Sequence, residues 1–181
     1  SEESKIFPIN PYGCAKAFSH YMVCSFRKNY NLFAVNGIFF NHDSVRSNSK
    51  FVLKKIVSTA INIKNGKEKY LYLNSLKPIR DFGHAEDYMT AVYKIMQSKK
   101  PRDYIIASGK QYSVKQIVNK VFKKLDINIK LVKEKKIFNF KTVQKKTASI
   151  KKLKKYTNWK PKRDINKILD ELIDFELSKK N

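Results

Sequence analysis

The chain has 181 residues and a formal net charge of +24, and 42% of its residues are hydrophobic and 13% aromatic. This composition excludes a disordered chain, and no apolar run approaches the ~20 residues that a membrane-spanning helix needs. The positive charge is nearly all lysine, with only five arginines, which disfavours dedicated nucleic-acid binding because lysine lacks the bidentate guanidinium fork.

The predicted elements alternate between helices and strands. In chain order, the pattern predicts a helix over 11–28, a buried strand over 32–40, a helix over 51–63, a strand over 70–73, a helix over 85–97 and a strand over 104–107. A helix capped by Ser113 then runs to residue 125, a strand follows over 127–132, and helices over 150–156 and 165–177 finish the chain. Such alternation predicts an α/β sheet protein rather than a helix bundle or a β-sandwich.

Two cysteines, Cys14 and Cys24, fall on the first predicted helix. At 1.5 Å of rise per residue they lie about 15 Å apart, too far for a disulfide. With no metal-ligand spacing around them, they indicate buried thiols in a reducing, cytoplasmic setting, and no metal site is predicted.

Tyr12 and Lys16 are the candidate catalytic residues. Side chains at i and i+4 share one helix face, and an ammonium beside a phenol favours the phenolate. Tyr12 is therefore a candidate proton acceptor near neutral pH. The spacing alone is not specific, since Tyr156 and Lys160 repeat it. A surface helix pair is the plainer alternative.

The five glycines are too far apart for a Gly-x-Gly dinucleotide fingerprint or a phosphate-binding P-loop. A nucleotide enzyme made of this chain alone would lack the loop that cradles a pyrophosphate.

Four segments of the chain together resemble the GDP-mannose 4,6-dehydratases, which are extended short-chain dehydrogenases/reductases that act on nucleotide sugars. The resemblance runs from about residue 2 to the final helix and is weaker over 132–155. It depends on the order and spacing of NPYGCAK at 10–16, NLFAVNGIFFNH at 31–42, IRDFGHAEDY at 79–88 and NWKP at 158–161.

This resemblance implies the C-terminal part of a Rossmann-like NAD(P)-binding fold plus a smaller mixed α/β substrate domain. Residues 1–40 would end the dinucleotide-binding domain. Residues 41–181 would be mainly the sugar-nucleotide domain, with some elements returning to the first. The glycine fingerprint, and the Ser/Thr and Glu that act beside the tyrosine, would precede Ser1. We therefore expect the C-terminal half of an enzyme, with little or no turnover alone.

The resemblance also implies a reaction: GDP-mannose loses water by an internal redox dehydration with NADP as cofactor, in a complete enzyme that is a homo-oligomer. Tyr12 would take the proton of the sugar 4-hydroxyl, and Lys16 would hold the nicotinamide ribose. Further positions match contacts to the cofactor, at His42 and Arg46, and to the GDP-sugar, at Asn41, Lys55 and Arg80. Cationic donors suit a diphosphate.

Two departures from the family pattern weaken the implied binding. Ser47 stands where the family has the second of two arginines, a cofactor contact. Asn139 replaces the arginine of an aromatic-Arg-Pro element near the substrate phosphates. Each change loses a charge and a guanidinium fork.

Plainer interpretations stay open for single residues and for the whole chain. His42 can be a loop histidine, Arg80 and Asp81 a structural ion pair, and Lys55 a solvated side chain. For the chain, the alternatives are a dehydratase or epimerase of another nucleotide sugar, and a degenerate, non-catalytic basic binding protein.

Overall fold

The computed structural model describes residues 1–135 and 148–179. Six α-helices and seven strands follow one another along these residues. Their order is α1 (Pro11–Tyr30), β1 (Gly37–Phe39), β2 (Asn41–Asp43), α2 (Val52–Lys64), β3 (Leu71–Leu73), β4 (Ile79–His84), α3 (Ala85–Met96), β5 (Tyr104–Ile106), β6 (Gln111–Ser113), α4 (Val114–Leu125), a 3-10 helix (Ile129–Leu131), β7 (Val132–Glu134), α5 (Lys151–Thr157) and α6 (Ile165–Ser178). The predicted α/β alternation is confirmed.

The strands form three small sheets. β1 pairs in parallel with β5, and β3 pairs in parallel with β7. The third sheet has the order β2-β4-β6, in which β2 and β4 are parallel and β6 is antiparallel to β4. Asn41 lies opposite Phe82 across the β2–β4 pair. This pairing places the strand that follows β1 beside the strand that precedes α3.

The larger hydrophobic core lies between α2, α4 and α6 and the strands that they cover. Apolar residues at helical spacing supply it, so each helix buries one stripe. Its fully buried members include Leu53, Ile56, Val57 and Ala60 of α2, Ile117, Val118 and Val121 of α4, and Ile168, Leu169 and Leu172 of α6.

A smaller core covers the β1–β5 pair with α3 and α5. Trp159 is 2% exposed in this core, where it lies together with Tyr88 and Leu153. Its indole Nε1–H donates to the backbone carbonyl of Asp87 at 3.0 Å. The hydrogen bond satisfies the one polar atom of the buried ring.

An ion-pair network joins α3 to the segment before α6. Arg163 donates to Asp87 Oδ1 at 2.9 Å, to Glu86 Oε2 at 2.6 Å and to Glu171 Oε1 at 3.0 Å. Glu171 also lies 3.0 Å from the Nε2 atom of His84, which caps α3. One guanidinium with three carboxylates uses the fork geometry that lysine lacks. The contacts of His84 are therefore structural.

None of the residues of α1 is buried. Polar contacts hold this helix to the rest of the chain. Arg27 donates to both carboxylate oxygens of Asp103 at 2.8 and 3.1 Å, and to the carbonyl of Ala34 at 3.0 Å. The same carboxylate accepts the backbone N–H and the side-chain amide of Asn36, both at 3.1 Å. The Asp103 carboxylate, just before β5, is thus hydrogen-bonded both to α1 and to the residue that precedes β1.

Two predicted strands are wrong in extent. Only 37–39 of the predicted strand 32–40 pairs with β5, and Leu32 and Phe33 are exposed rather than buried. The chain before β1 turns instead, since Asn31 adopts a left-handed conformation (φ 50°) and Ala34 N–H bonds to the Leu32 carbonyl. The predicted strand 127–132 is a 3-10 helix over Ile129–Leu131, which the side chain of Asn128 caps.

The cysteines are correctly predicted to be unpaired, but they are not buried. Cys14 is exposed and Cys24 is half-buried on α1. Among residues 1–135 and 148–179, no helix has the length and hydrophobicity needed to span a membrane.

The role of Asp103 gives a stability prediction. Although burial alone would raise it, hydrogen bonds from Arg27 and Asn36 hold the pKa of Asp103 below its usual value. We expect Asp103→Asn to lower the free energy of unfolding by about 1–3 kcal/mol, measured by urea denaturation at pH 7. Asp174→Asn, at an exposed position of α6, is the control.

The sign of the Asp103 shift also predicts a pH dependence. Because its folded pKa lies below that of the unfolded chain, its contribution is full above about pH 3.9 and is lost as the pH falls further. The stability difference between wild type and Asp103→Asn should therefore shrink below that pH. A difference that stays constant from pH 7 to pH 3 would contradict the assigned ion pair.

Candidate functional site

Tyr12 and Lys16 lie on the first two turns of α1. The side chain of Asn10 caps this helix by accepting the Gly13 N–H at 2.7 Å, and Pro11 occupies a first-turn position where no N–H is needed. The Lys16 ammonium lies 5.5 Å from the centroid of the Tyr12 ring. Tyr12 is 73% exposed. The helix thus presents the phenol and its neighbouring cation together on an open face.

His42 and Asn41 lie on β2, both exposed. The Nδ1 atom of His42 is 2.9 Å from the Phe40 carbonyl. A carbonyl can only accept, so Nδ1 carries the proton and Nε2 is the ring nitrogen left for another partner. The imidazole also lies 5.0 Å from the ring of Tyr88. These contacts orient the ring.

Arg46 and Ser47 lie on the segment between β2 and α2, residues 44–51, which we call the site loop. Arg46 is exposed. The backbone N–H of Ser44 donates to Asp43 at 2.9 Å and to the Ser47 hydroxyl at 3.0 Å, and Ser47 N–H returns to the Ser44 carbonyl at 3.0 Å. Burial raises the pKa of Asp43, although the hydrogen bonds from Ser47 and Ser44 oppose the shift. Ser47, the first of the two departures noted in the sequence, closes this turn.

Arg80 lies on β4, on the strand next to Asn41 and His42. It is half-buried, and its guanidinium donates to the Ile79 carbonyl at 2.7 Å. Lys55 is half-buried on α2. The β2–β4 pairing therefore brings Asn41, His42 and Arg80 into one sheet, and the site loop leads from that sheet to Lys55.

Asp81 has a role that the sequence analysis missed. It is buried, and its two carboxylate oxygens accept the backbone N–H groups of Ser108 and Gly109, each at 2.8 Å. Gly109 has φ +76°, a conformation that other residues rarely adopt. Burial raises the pKa of Asp81, against the opposing effect of these hydrogen bonds. The Ser-Gly pair signals a turn, but nothing local points to an acceptor 27 residues earlier.

One further cluster has metal-ligand chemistry. Single ligand atoms of His20, Cys24 and Asp103 lie within 4.8 Å of one another. Both carboxylate oxygens of Asp103 already receive Arg27, whose guanidinium also lies 3.6 Å from the Cys24 sulfur. The cation at this position is therefore the arginine. The departure at Asn139 lies outside the described residues.

The fold defines the class of protein. RMD from Pseudomonas aeruginosa, solved with NADPH, superposes with a TM-score of 0.88 at 18% identity over 98% of this chain and 59% of its own. The dTDP-glucose 4,6-dehydratase from Bacillus anthracis, solved with NAD, gives 0.88 at 19% identity over 98% and 55%. The expected fold is confirmed: it is that of the NAD(P)-binding nucleotide-sugar dehydratases and epimerases.

Sequence comparison narrows the class. The model of the family described as GDP-mannose 4,6 dehydratase matches residues 1–172. The relative from Dictyostelium discoideum is 41% identical over 72% of this chain and 36% of its own length, and the human relative is 34% identical over 99% and 54%. The chain belongs to the GDP-mannose 4,6 dehydratase family. It spans about half the length of such relatives, or less.

Asp81 gives a prediction for the scaffold of the site. Asp81→Asn leaves one acceptor for two backbone donors, so we expect a loss of about 1–3 kcal/mol in the free energy of unfolding. Asp126→Asn is the matched control, because Asp126 ends α4 in an exposed left-handed conformation that asparagine also adopts. Equal unfolding midpoints for the two variants would contradict the assigned role.

Proposed function

We propose that this chain carries the C-terminal half of a GDP-mannose 4,6-dehydratase, a lyase that converts GDP-mannose to GDP-4-dehydro-6-deoxy-mannose and water. The observation that carries the proposal is the Tyr12–Lys16 pair on the open face of α1 in a chain of this family. Alternative nucleotide sugars are disfavoured because the sequence match is to the GDP-mannose enzymes, whereas the likeness to dTDP- and UDP-sugar enzymes is one of fold.

In this proposal Tyr12 accepts the proton of the sugar 4-hydroxyl. Its open position leaves room for a substrate, and the Lys16 ammonium lies 5.5 Å from the centroid of its ring. Lys16 also donates to the ribose of the cofactor. We assign no residue of this chain to removal of the C5 proton.

The residues present fit NADP in part. Lys16, His42 with its free Nε2, and the exposed Arg46 offer donors to an anionic dinucleotide, whereas Ser47 offers no charge. Bound NADP would supply the acceptor for the hydride from C4 and its return to C6. Asn41, Lys55 and Arg80 would bind the GDP-sugar, with the two cations directed to its diphosphate.

The surface of residues 1–39 supports the need for a second half. Twelve of the twenty large hydrophobic side chains that are exposed in the described residues lie there. They include Phe7 and Ile9 before α1, Phe18, Tyr21, Met22 and Phe26 on it, and Leu32 and Phe33 after it. Patches of this kind mark contact surfaces. We propose that these side chains, other than Tyr12, pack against the dinucleotide-binding half and, in the complete enzyme, against further copies.

The β1–β5 pair supports the same proposal. Two parallel strands do not form a stable sheet alone, and parallel sheets are covered on both faces. On the outer side of β5, the Ile105 N–H donates to the carboxylate of Glu2 at 3.0 Å. This contact occupies an outward-facing donor of β5, and we propose that the sheet continues beyond β1. The unpaired Cys14 and Cys24 support a reducing compartment, and we propose the cytoplasm.

The first test is activity with and without that half. We expect no turnover of GDP-mannose by the 181 residues with NADP. We expect formation of the 4-keto product when they are co-expressed with the part of the human relative that lies outside its match to this chain. Turnover by the chain alone would overturn the half-enzyme proposal. Formation of product from UDP-glucose but not from GDP-mannose would overturn the proposal that GDP-mannose is the substrate.

The second test is specific for the base. Tyr12→Phe should abolish turnover in the co-expressed enzyme and leave its NADP affinity unchanged, because only the hydroxyl is lost. Tyr93→Phe is the control, since Tyr93 is also largely exposed and lies on α3, outside the surface of residues 1–39. Retained turnover in Tyr12→Phe would remove Tyr12 from the proposed role.

A further inference from the structure

Lys54 is a buried lysine beside the proposed site. It lies on the core side of α2 and is 3% exposed, whereas the neighbouring Lys55 is half-buried. Lysines are almost never fully buried unless they are paired, because a desolvated ammonium costs several kcal/mol. The contacts of Lys54 must therefore account for its position.

The ammonium of Lys54 joins two distant parts of the chain. Its Nζ donates to the backbone carbonyl of Val45 at 2.6 Å and to the Glu176 carboxylate at 3.0 Å. It also lies 4.4 Å from the centroid of the Phe175 ring. Val45 belongs to the site loop, and Glu176 and Phe175 belong to the end of α6. One side chain thus connects the loop to the C-terminal helix.

The contact falls at the point where the site loop presents its chemistry. Arg46 follows Val45 directly, and Ser47 closes the turn back to Ser44. The turn's own hydrogen bonds fix its shape, but they link residues within 43–47 only. The hydrogen bond from Lys54 fixes the turn relative to the core.

We propose that Lys54 is a positioning residue that holds the site loop against α6 and so sets where Arg46 and Ser47 meet the cofactor. The cofactor part of this inference rests on the proposed function; the anchoring part does not. An apolar side chain could fill the same space, but it could not hold a carbonyl. In this proposal Lys54 positions the site loop, and Lys55 binds the GDP-sugar.

Limited trypsin digestion of the 181-residue chain tests the anchoring. The Arg46–Ser47 bond lies inside the turn, so cleavage requires the loop to open. Lys54→Met keeps the length of the side chain and removes the donor, and Glu176 keeps Lys179 at 3.0 Å as a partner. We expect cleavage after Arg46 in Lys54→Met to be about ten-fold faster than in wild type, because one charged hydrogen bond that holds the loop is lost. The rate of cleavage is measured by mass spectrometry.

Three comparisons make this result specific. Lys54→Arg retains a donor and should restore the slow cleavage to within a few-fold. Lys55→Met, on the same helix, should leave cleavage after Arg46 unchanged. Cleavage after Lys67, in an exposed segment beyond α2, should be the same in every variant. Equal rates after Arg46 in Lys54→Met and wild type would overturn the proposal, and so would a uniform acceleration at both bonds.

The functional consequence is measured separately in the co-expressed enzyme. Lys54→Met should weaken the binding of NADP and change kcat little, whereas Lys55→Met should weaken the binding of GDP-mannose. Unchanged NADP affinity in Lys54→Met would overturn the positioning role. Should the co-expressed enzyme show no turnover, the proposed function fails, and the trypsin experiment still decides whether Lys54 anchors the loop.

Discussion

A single carboxylate, that of Asp103, determines how the proposed catalytic helix is attached. α1 buries no residue, so the hydrophobic effect does little within this chain to fix its position. Instead, Arg27 near its end and Asn36 after it converge on Asp103 just before β5. A bidentate arginine pair restricts direction as well as distance. The orientation of Tyr12 and Lys16 relative to β1 therefore depends on contacts at the opposite end of their helix.

The proposed site is assembled from three supports of different character. Tyr12 and Lys16 lie on a helix that exposes apolar side chains. Asn41, His42 and Arg80 lie on paired strands of one sheet. The site loop is held by the hydrogen bonds of its own turn. Behind the last two lie buried polar groups, Asp81 and Lys54, each of which is hydrogen-bonded to the backbone of another segment. In a low-dielectric interior such hydrogen bonds are strong, and their loss leaves an unpaired group. The scaffold is thus stiff near the sheet and open near the helix.

Local signals in the sequence predicted most of the helices, but they did not predict the contacts between residues that are distant in the chain. Ser113 is correctly predicted to cap α4, because a hydroxyl at a helix start acts within one turn, and it accepts the Gln116 N–H. The Tyr12–Lys16 juxtaposition is equally local. By contrast, the strand over 32–40 was predicted from apolar content alone, which cannot distinguish a buried strand from a segment whose cover lies elsewhere. Asp81, Asp103 and Lys54 are single polar residues whose partners lie 9 to 122 residues away, and no periodicity in the sequence indicates them. The division into residues 1–40 and 41–181 stays a prediction.

The carboxylate of Glu2 has a consequence for how molecules of this kind associate. By accepting a hydrogen bond from the Ile105 N–H, it leaves the outer edge of β5 with one donor fewer for a further strand. A ribbon with two open edges can add strands in both directions and grow into a fibril. A further strand at the β5 edge would have to displace the Glu2 carboxylate from the Ile105 N–H, which makes addition at that edge less favourable.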